Sequence, residues 1–238
     1  MLGIDGLMVR FDGLNAIDGL TLTVPAGARV GILGPNGSGK TTLFNAISGL
    51  AALAGGTIRL DGRETSGLAP HRIADAGVAR TFQTVRLFQR LSALDNVLPR
   101  VGPGATTSSD ARRTALAALD CVGLGDTRDV MAGDLGAFER RRLEIARAMA
   151  QRPRLLLVDE PTGGLSRAEA ESIVKLLDRS VDPATAILLI EHNVAAIEAL
   201  CPRSILLVEG RLAADASTDE MLRDRSLANV YFGPRLSK

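Results

Sequence analysis

Aromatic side chains are scarce in this sequence: they make up 3% of the 238 residues, and tryptophan is absent. We therefore expect a core built mostly from leucine, isoleucine, valine and alanine, which the apolar content of 46% is ample to supply. Charge of one sign is not in excess either, because 28 basic and 27 acidic residues leave a formal net charge of +1. This balance gives no support for bulk nucleic-acid binding, and we expect no nucleic-acid partner.

Cysteine is limited to Cys121 and Cys201, which stand far apart and lack CxxC spacing. We expect both to be reduced, buried residues of a cytosolic protein and not to form a metal site. Long apolar runs are also missing, since no window approaches 18 uninterrupted apolar residues, and no basic region precedes an apolar stretch at the start. We therefore expect a soluble protein that is not exported, so that another polypeptide would have to span any membrane at which it works.

A glycine-rich stretch at residues 34–42 fits the phosphate-binding pattern G-x-x-x-x-G-K-[ST]. An apolar strand precedes it, and helical apolar spacing follows from Lys40 to about Leu50. Glycines let backbone N–H groups approach phosphate oxygens, Lys40 would reach the β- and γ-phosphates, and the Thr41 hydroxyl would ligate Mg²⁺. The pattern predicts a bound nucleotide with β- and γ-phosphates, together with Mg²⁺. The candidate nucleotide-binding residues here are Gly34, Pro35, Asn36, Gly37, Ser38, Gly39, Lys40, Thr41 and Thr42.

The order of the remaining elements predicts an α/β fold with three parts. Alternating strands near the start indicate an antiparallel β subdomain, and two continuous apolar runs, Leu155–Val158 and Ala186–Ile190, are typical of parallel strands covered on both faces. Helical spacing dominates the middle of the chain. We predict one domain over 1–238, in which 1–86 and 151–238 form the nucleotide-binding core with its β subdomain and 87–150 form an inserted helical subdomain.

Polar residues follow three of the predicted strands. After Leu155–Val158 come Asp159, which would hold the Mg²⁺ shell, and Glu160, which would orient or deprotonate a water beside the γ-phosphate. His192 follows the next strand, where it would sense the γ-phosphate; it could also be incidental to a helix N-terminus. Gln83 follows the strand ending at Phe82 and could touch Mg²⁺ and the attacking water, although a lone glutamine is more often a solvated loop residue.

These motifs occur in the order found in ATP-binding cassette (ABC) ATPases, which the chain resembles from end to end. The resemblance is closest to the ATPase subunits of branched-chain amino acid importers. It implies a P-loop NTPase (RecA-like) core and ATP hydrolysis coupled to transport. The stretches that carry it, beside the P-loop, are Ala79–Phe88, Asp95–Leu98, Arg141–Ala148 and Tyr231-Phe232-Gly233.

The resemblance also implies roles for particular residues. Phe11 would stack on adenine, although it could instead be a core strand residue. Gln83 would link the γ-phosphate to the membrane subunit, His192 would be the switch histidine, and Lys40, Gln83, Glu160 and His192 together would carry the catalysis. The metal would be held by Thr41, Gln83 and Asp159. The surface around Arg86, Leu87 and Phe88 would receive a coupling helix of the permease.

One motif departs from the family pattern. The family signature reads roughly Leu-Ser-x-Gly-Gln, and this chain has Leu135, Gly136, Ala137, Phe138 and Glu139 at the aligned positions. In the family, two cassettes face head to tail, and the signature of each contacts the ATP held by the other. Gly136 lacks the hydroxyl, and Phe138 adds a side chain where a close backbone approach is needed. A shifted alignment would make Gly136 the signature glycine, but it needs a two-residue insertion. We therefore expect a heterodimer with a second ABC ATPase subunit in preference to a homodimer.

The favoured interpretation is an ATPase subunit that energises amino-acid import. It would work at the cytoplasmic face of the inner membrane with permease subunits and, indirectly, an external solute-binding protein. Two alternatives stay open: a regulatory cassette that binds ATP with little turnover, and the same ATPase role in an importer of urea or another small solute. A chromosome or repair ATPase would need a long coiled-coil insertion, and a GTPase would need an Asn-Lys-x-Asp motif; the sequence has neither.

Overall fold

The computed structural model describes residues 1–98 and 107–224. The Tyr231-Phe232-Gly233 ending, which carries part of the resemblance, lies outside the described residues. Within them the chain forms two sheets. The strands are β1 Leu2–Phe11, β2 Leu14–Val24, β3 Arg29–Leu33, β4 Gly55–Leu60, β5 Arg63–Glu64, β6 Val78–Arg80, β7 Leu155–Asp159, β8 Ala186–Ile190, β9 Arg203–Val208 and β10 Arg211–Ser217.

The helices fall between and after these strands. They are α1 Lys40–Ile47, α2 Pro70–Asp75, α3 Ala93–Val97, α4 Ser108–Cys121, α5 Ala137–Ala150, α6 Arg167–Ser180, α7 Val194–Leu200 and α8 Thr218–Arg223, with a 3-10 turn at Gly125–Thr127. Capping boxes at Ser166–Glu169 and Ser217–Glu220 begin α6 and α8. In each, the serine hydroxyl accepts the N3 amide while the glutamate carboxylate accepts the serine amide.

The larger sheet has the strand order β10-β9-β3-β8-β7-β6 and is parallel apart from β10. Every residue of β7 and β8 is buried, as expected for strands covered on both faces. Alternate residues of these strands belong to two different hydrophobic clusters, so that the sheet separates two cores. The carboxyl ends of β3, β6, β7 and β8 consequently lie along one edge, which is where open parallel sheets bind ligands.

The smaller sheet, β2-β1-β4-β5, is antiparallel and packs its buried face with α1 over one face of the larger sheet. The other face of the larger sheet is covered by a cluster that includes residues of α3, α4, α5, α6 and α7. Helices α3, α4 and α5 contact one another and occupy the predicted helical region. The α/β fold with an N-terminal antiparallel β subdomain is thus confirmed, while the division at 86/87 and 150/151 stays a prediction.

Two expectations need correction. Cys121 is exposed at the end of α4, because its position falls off the apolar stripe of that helix, whereas Cys201 is buried as predicted. The helix after Lys40 ends at Ile47, three residues earlier than expected. In the described residues no helix is both long and apolar enough to cross a membrane.

Candidate functional site: a phosphate-binding cleft

The loop between β3 and α1 is shaped by glycines with positive φ. Gly37 and Gly39 have φ of +79° and +102°, a region that side chains rarely adopt. A Cβ on Gly39 would lie 2.6 Å from the Ala16 carbonyl oxygen, so this glycine also lets the loop pack closely on β2. The loop ends where α1 begins, and the first turn of α1 carries no acidic residue. Because no carboxylate of this turn competes for them, the N-terminal amides of α1 are suited to bind an anion.

Lys40 is folded back into this loop. Its Nζ donates to the carbonyl oxygens of Gly34 and Pro35 at 2.6 and 2.9 Å. Burial lowers the pKa of Lys40 from its ordinary value, while Glu160 and Asp159 oppose that shift by favouring the cation. Ser38 Oγ is buried and has no hydrogen-bond partner within the described part of the chain. A phosphate group would supply acceptors to both side chains, so the residues present fit a nucleotide.

Asp159 is the last residue of β7 and is 3% exposed. One of its oxygens accepts from Arg80 Nη2 at 3.0 Å, and the ion pair is almost fully buried. Arg80 ends β6, the neighbouring strand, and its Nη1 also reaches Asn45 Oδ1 of α1 at 2.7 Å. Sequence reasoning missed this residue as part of the site. Its place three residues before Gln83, at a strand end, was the signal that could have found it.

Glu160 lies between the two polar residues predicted to surround the γ-phosphate. Its Oε2 accepts from Gln83 Nε2 at 2.9 Å, and its Oε1 lies 3.2 Å from His192 Nε2. The three residues follow β6, β7 and β8, which are neighbours in the sheet, so three strand ends bring them together. Glu160 itself has a φ of +46°, a left-handed conformation that is uncommon for a non-glycine residue and that aims its side chain across the sheet edge.

These groups share one cleft of about 390 Å³. It is lined by Ala16, Asn36, Gly37, Ser38, Gly39, Lys40, Thr41, Thr42, Gln83, Glu160 and His192. Of the predicted metal-holding residues, Thr41 and Gln83 line the cleft directly, whereas Asp159 is buried and ion-paired with Arg80. Hydroxyl, amide and carboxylate oxygens are the ligands that Mg²⁺ takes, so this donor set fits that ion.

A third carboxylate, Glu191, precedes His192 and was also missed by sequence reasoning. Glu191 is 3% exposed, and its Oε2 accepts from the amides of His192 and Asn193 at 2.8 and 3.0 Å. Its Oε1 accepts the Thr162 amide at 2.9 Å and also the Thr162 hydroxyl. Glu191 therefore ties the segment after Glu160 to the turn that carries His192. The only sequence signal was a charged residue directly after a buried strand.

Phe11 lies outside this arrangement. It is 52% exposed at the end of β1, so the alternative that it is a core strand residue is wrong. It does not line the cleft, and its role toward adenine stays a prediction.

The altered signature region begins α5. Leu135 is buried, while Gly136, at the N-cap position, and Ala137 are exposed. The Gly136 amide donates to Glu139 Oε2 at 2.8 Å, so the chain caps this helix with its own carboxylate. Phe138 is half-buried, with the Arg142 guanidinium 4.7 Å from its ring centre. This end of α5 therefore presents no hydroxyl from position 136.

Comparisons with known proteins agree with the motifs. The profile of the family described as ABC transporter matches residues 17–163. The high-affinity branched-chain amino acid transport ATP-binding protein BraF of Pseudomonas aeruginosa is 35% identical over 98% of both chains. Its counterpart LivG of Escherichia coli K12 is 33% identical over 98% of both chains. The lipopolysaccharide export system ATP-binding protein LptB of Escherichia coli K12 is 33% identical over 95% of both chains.

Solved structures share the fold. The ADP conformation of MJ1267, an ATP-binding cassette of an ABC transporter, superposes with a TM-score of 0.87 at 24% identity, covering 98% of each chain. The dimeric structure of MJ0796, a bacterial ABC transporter cassette, has a TM-score of 0.81 at 26% identity, with 92% of this chain and 99% of that chain covered.

Proposed function

Because the chain belongs to the ABC transporter family of ATP-hydrolysing cassettes, we propose that it energises the import of branched-chain or related amino acids through separate permease subunits. The family membership makes it a transport-coupled ATPase that binds ATP and works with membrane subunits. Amino-acid import is supported by BraF and LivG, whose similarity extends over 98% of the chain. The similarity to LptB, an export protein, is of the same order and makes a direct measurement of uptake necessary.

The contact of Glu160 with Gln83 and His192 is the observation that carries the proposed chemistry. Lys40 and the loop amides would hold the β- and γ-phosphates, and Ser38 would donate its free hydroxyl. Thr41, Gln83 and Asp159 would hold Mg²⁺, which neutralises charge on the phosphates when bound. Glu160 would accept a proton from the attacking water, and His192 would hold the γ-phosphate while Gln83 orients that water.

The proposed assembly pairs this cassette with a second, different ABC ATPase subunit. Gly136 offers no hydroxyl, and its amide already donates to Glu139. Phe138 is aligned with the signature glycine, whose backbone would approach the partner's ATP. Losing one such anion contact typically costs about 3–4 kcal/mol in the transition state. The second subunit would complete the site on this chain with an intact signature.

The proposed permease surface lies beside the Gln83 segment. Phe88 is 65% exposed, with Leu87 half-buried beside it, and an exposed aromatic is a common anchor for a partner. This docking would place the chain at the cytoplasmic face of the inner membrane. An external solute-binding protein would deliver the substrate to the permease without touching this chain.

Uptake in cells tests the proposal directly. Deleting the gene should reduce uptake of labelled leucine, isoleucine and valine, and the wild-type gene should restore it. Glu160→Gln should fail to restore uptake, whereas Glu171→Gln should restore it, because Glu171 is an exposed carboxylate on α6 that pairs with Arg167 and does not line the cleft. Unchanged uptake of all three amino acids in the deletion strain would overturn the import proposal, and parallel measurements with urea would test that alternative.

A further inference from the structure

The segment that carries Gln83 is held by a helix rather than by the sheet. Strand β6 ends at Arg80, and the Thr81 amide donates the last sheet-like bond, to the Leu157 carbonyl at 2.9 Å. Beyond that point, two side chains of α5 form hydrogen bonds with the backbone of the segment. Arg141 donates to the carbonyl oxygens of Phe82 and Gln83 at 2.7 and 2.8 Å.

Glu144, about one turn further along α5, binds the same segment. Its Oε1 accepts the amides of Phe82 and Arg86, each at 3.2 Å, and its Oε2 accepts from Arg141 Nη1 at 3.0 Å. The two side chains are 5% and 0% exposed, so the ion pair is buried. Apolar residues of similar volume can often replace a buried ion pair without loss of stability, so stability alone does not account for this pair. Its distinctive contribution is four hydrogen bonds to the loop backbone.

The held segment leads directly to the reacting groups. The Gln83 carbonyl is bonded to Arg141, and the Gln83 amide side chain reaches Glu160 at 2.9 Å. Arg141 follows closely after the signature region, residues 135–139, near the start of the same helix. Helix α5 therefore connects the segment that would face another cassette to the backbone of Gln83.

We propose that Arg141 and Glu144 are positioning residues that fasten the Gln83 segment to α5. By holding the backbone of Gln83, the pair sets where the Gln83 side chain lies relative to Glu160. The proposal rests on the proposed function only in assigning Glu160 and Gln83 to ATP hydrolysis; the transported solute plays no part in it.

Amide hydrogen exchange of the purified chain tests the fastening without any hydrolysis. Replacing the pair by apolar residues of similar size, Arg141→Met with Glu144→Leu, should keep the fold and speed exchange of the Phe82 and Arg86 amides at least tenfold. Glu144→Gln keeps an acceptor oxygen and should stay within about threefold of the wild type. Exchange within twofold of the wild type in the apolar variant would overturn the proposal.

Arg142→Met is the matched control. Arg142 is on the same helix and also bonds backbone carbonyls, but those of Val122 and Gly123. Its loss should leave exchange at Phe82 and Arg86 unchanged. Faster exchange at both amides in this control would show that any arginine on α5 affects them through general loosening, which contradicts a specific fastening.

A double-mutant cycle in the assembled, ATP-hydrolysing complex separates positioning from a merely structural role. The apolar pair should lower kcat about tenfold while KM for ATP changes less than twofold. In a Gln83→Ala background the same pair should cause no further loss, because the residue it positions is gone. An equal loss in both backgrounds would overturn the proposal. Normal ATPase behaviour without amino-acid import would count against the proposed function alone.

Discussion

Glu160 holds a position that no other carboxylate in the described residues shares. It is in contact with Gln83 and His192 and belongs to the same cleft as Lys40. Its left-handed backbone has a cost of order 1–3 kcal/mol, which neighbouring structure must offset. The conformation directs the Glu160 side chain toward Gln83 and His192, which is the direction that the proposed chemistry requires.

Replacing Glu160 by glutamine should abolish most turnover while sparing ATP binding. The amide keeps the shape and the contact with Gln83 but cannot accept a proton from water. General-base removal typically costs about 10²–10⁴-fold, so we expect kcat of the assembled complex to fall by that range. Equilibrium binding of labelled ATP should stay within about threefold. Turnover unchanged in this variant, with Glu171→Gln as control, would contradict the role of Glu160.

The two cysteines should differ in reactivity toward a thiol reagent. Cys121 is exposed at the end of α4, whereas Cys201 is buried, and burial raises its pKa to about 12. Treating the native protein with iodoacetamide at pH 8 should alkylate Cys121, and Cys201 should react only after denaturation. Mass spectrometry of digested peptides gives the result directly. Rapid alkylation of Cys201 in the native protein would contradict the burial described here.

At the scale of elements, the loop before α1 depends on the backbone of Gly39. A Cβ there would meet the Ala16 carbonyl oxygen at 2.6 Å and the Ile17 Cδ1 at 2.9 Å, in addition to the strain of positive φ. Gly39→Ala should therefore displace the loop and weaken ATP binding at least tenfold. Gly62→Ala is the control, since Gly62 has a similar φ of +77° but no neighbour within 4 Å. It should cost about 1–2 kcal/mol of stability without affecting ATP binding.

Isothermal calorimetry with ATP measures both variants. Equal affinity in Gly39→Ala and the wild type would show that the loop tolerates a Cβ and that the packing of Gly39 on β2 does not shape the phosphate site.

Helix α5 should give the protein a measurable pH dependence of stability. Burial raises the pKa of Glu144 above its ordinary value, although bonds from Arg86 and Phe82 amides and the charges of Arg141 and Arg147 oppose the shift. A carboxyl with a raised folded pKa favours folding below its unfolded pKa of about 4.3, and this contribution is lost as pH rises through the folded value.

The comparison with Glu144→Gln isolates that effect, because other titrating groups cancel in the difference. The free energy of unfolding of the wild type, relative to the variant, should fall as pH rises above about 4.3, by at most about 1.4 kcal/mol per unit. Urea titrations across pH 4 to 8 measure it. A difference that grows with pH would mean that Arg141 and the two amides outweigh burial.

Strands and loops that have a local sequence pattern could be predicted from the sequence. Contacts between side chains that are distant in sequence could not. The runs at Leu155–Val158 and Ala186–Ile190 are buried strands, and local sequence pattern predicted both. The P-loop, Glu160 and His192 share one cleft with Gln83, which was singled out by the resemblance and not by its local pattern. Arg80, Glu144 and Glu191 were not predicted as site residues. Each has a partner far away in sequence, 79 positions for Arg80 and Asp159, 62 for Glu144 and Phe82, and 29 for Glu191 and Thr162, and no local pattern reports such contacts. The prediction that Cys121 is buried was wrong, because it rested on residue type alone and Cys121 lies on an exposed face of its helix.

At the scale of the whole molecule, we predict a cassette that supplies an intact phosphate-binding half to its own ATP site and an altered signature half to the site of its partner. The phosphate loop, Glu160 and His192 line one cleft, Asp159 precedes Glu160 in the chain, and we propose that these residues bind this chain's own ATP. The signature region offers Gly136 without a hydroxyl and Phe138 with an added ring. Restoring both positions in this chain, Gly136→Ser with Phe138→Gly, should therefore change how copies of it associate.

Light scattering of the Glu160→Gln variant with ATP and Mg²⁺ tests this central claim most directly. With hydrolysis blocked, a chain that completes both sites with its own copies forms an ATP-dependent dimer. We predict a monomer of 25.0 kDa that binds ATP, and a dimer only when Gly136→Ser and Phe138→Gly are added. An ATP-dependent dimer with the signature left as it is would contradict the account, because residues 135–139 would then be capping a phosphate after all.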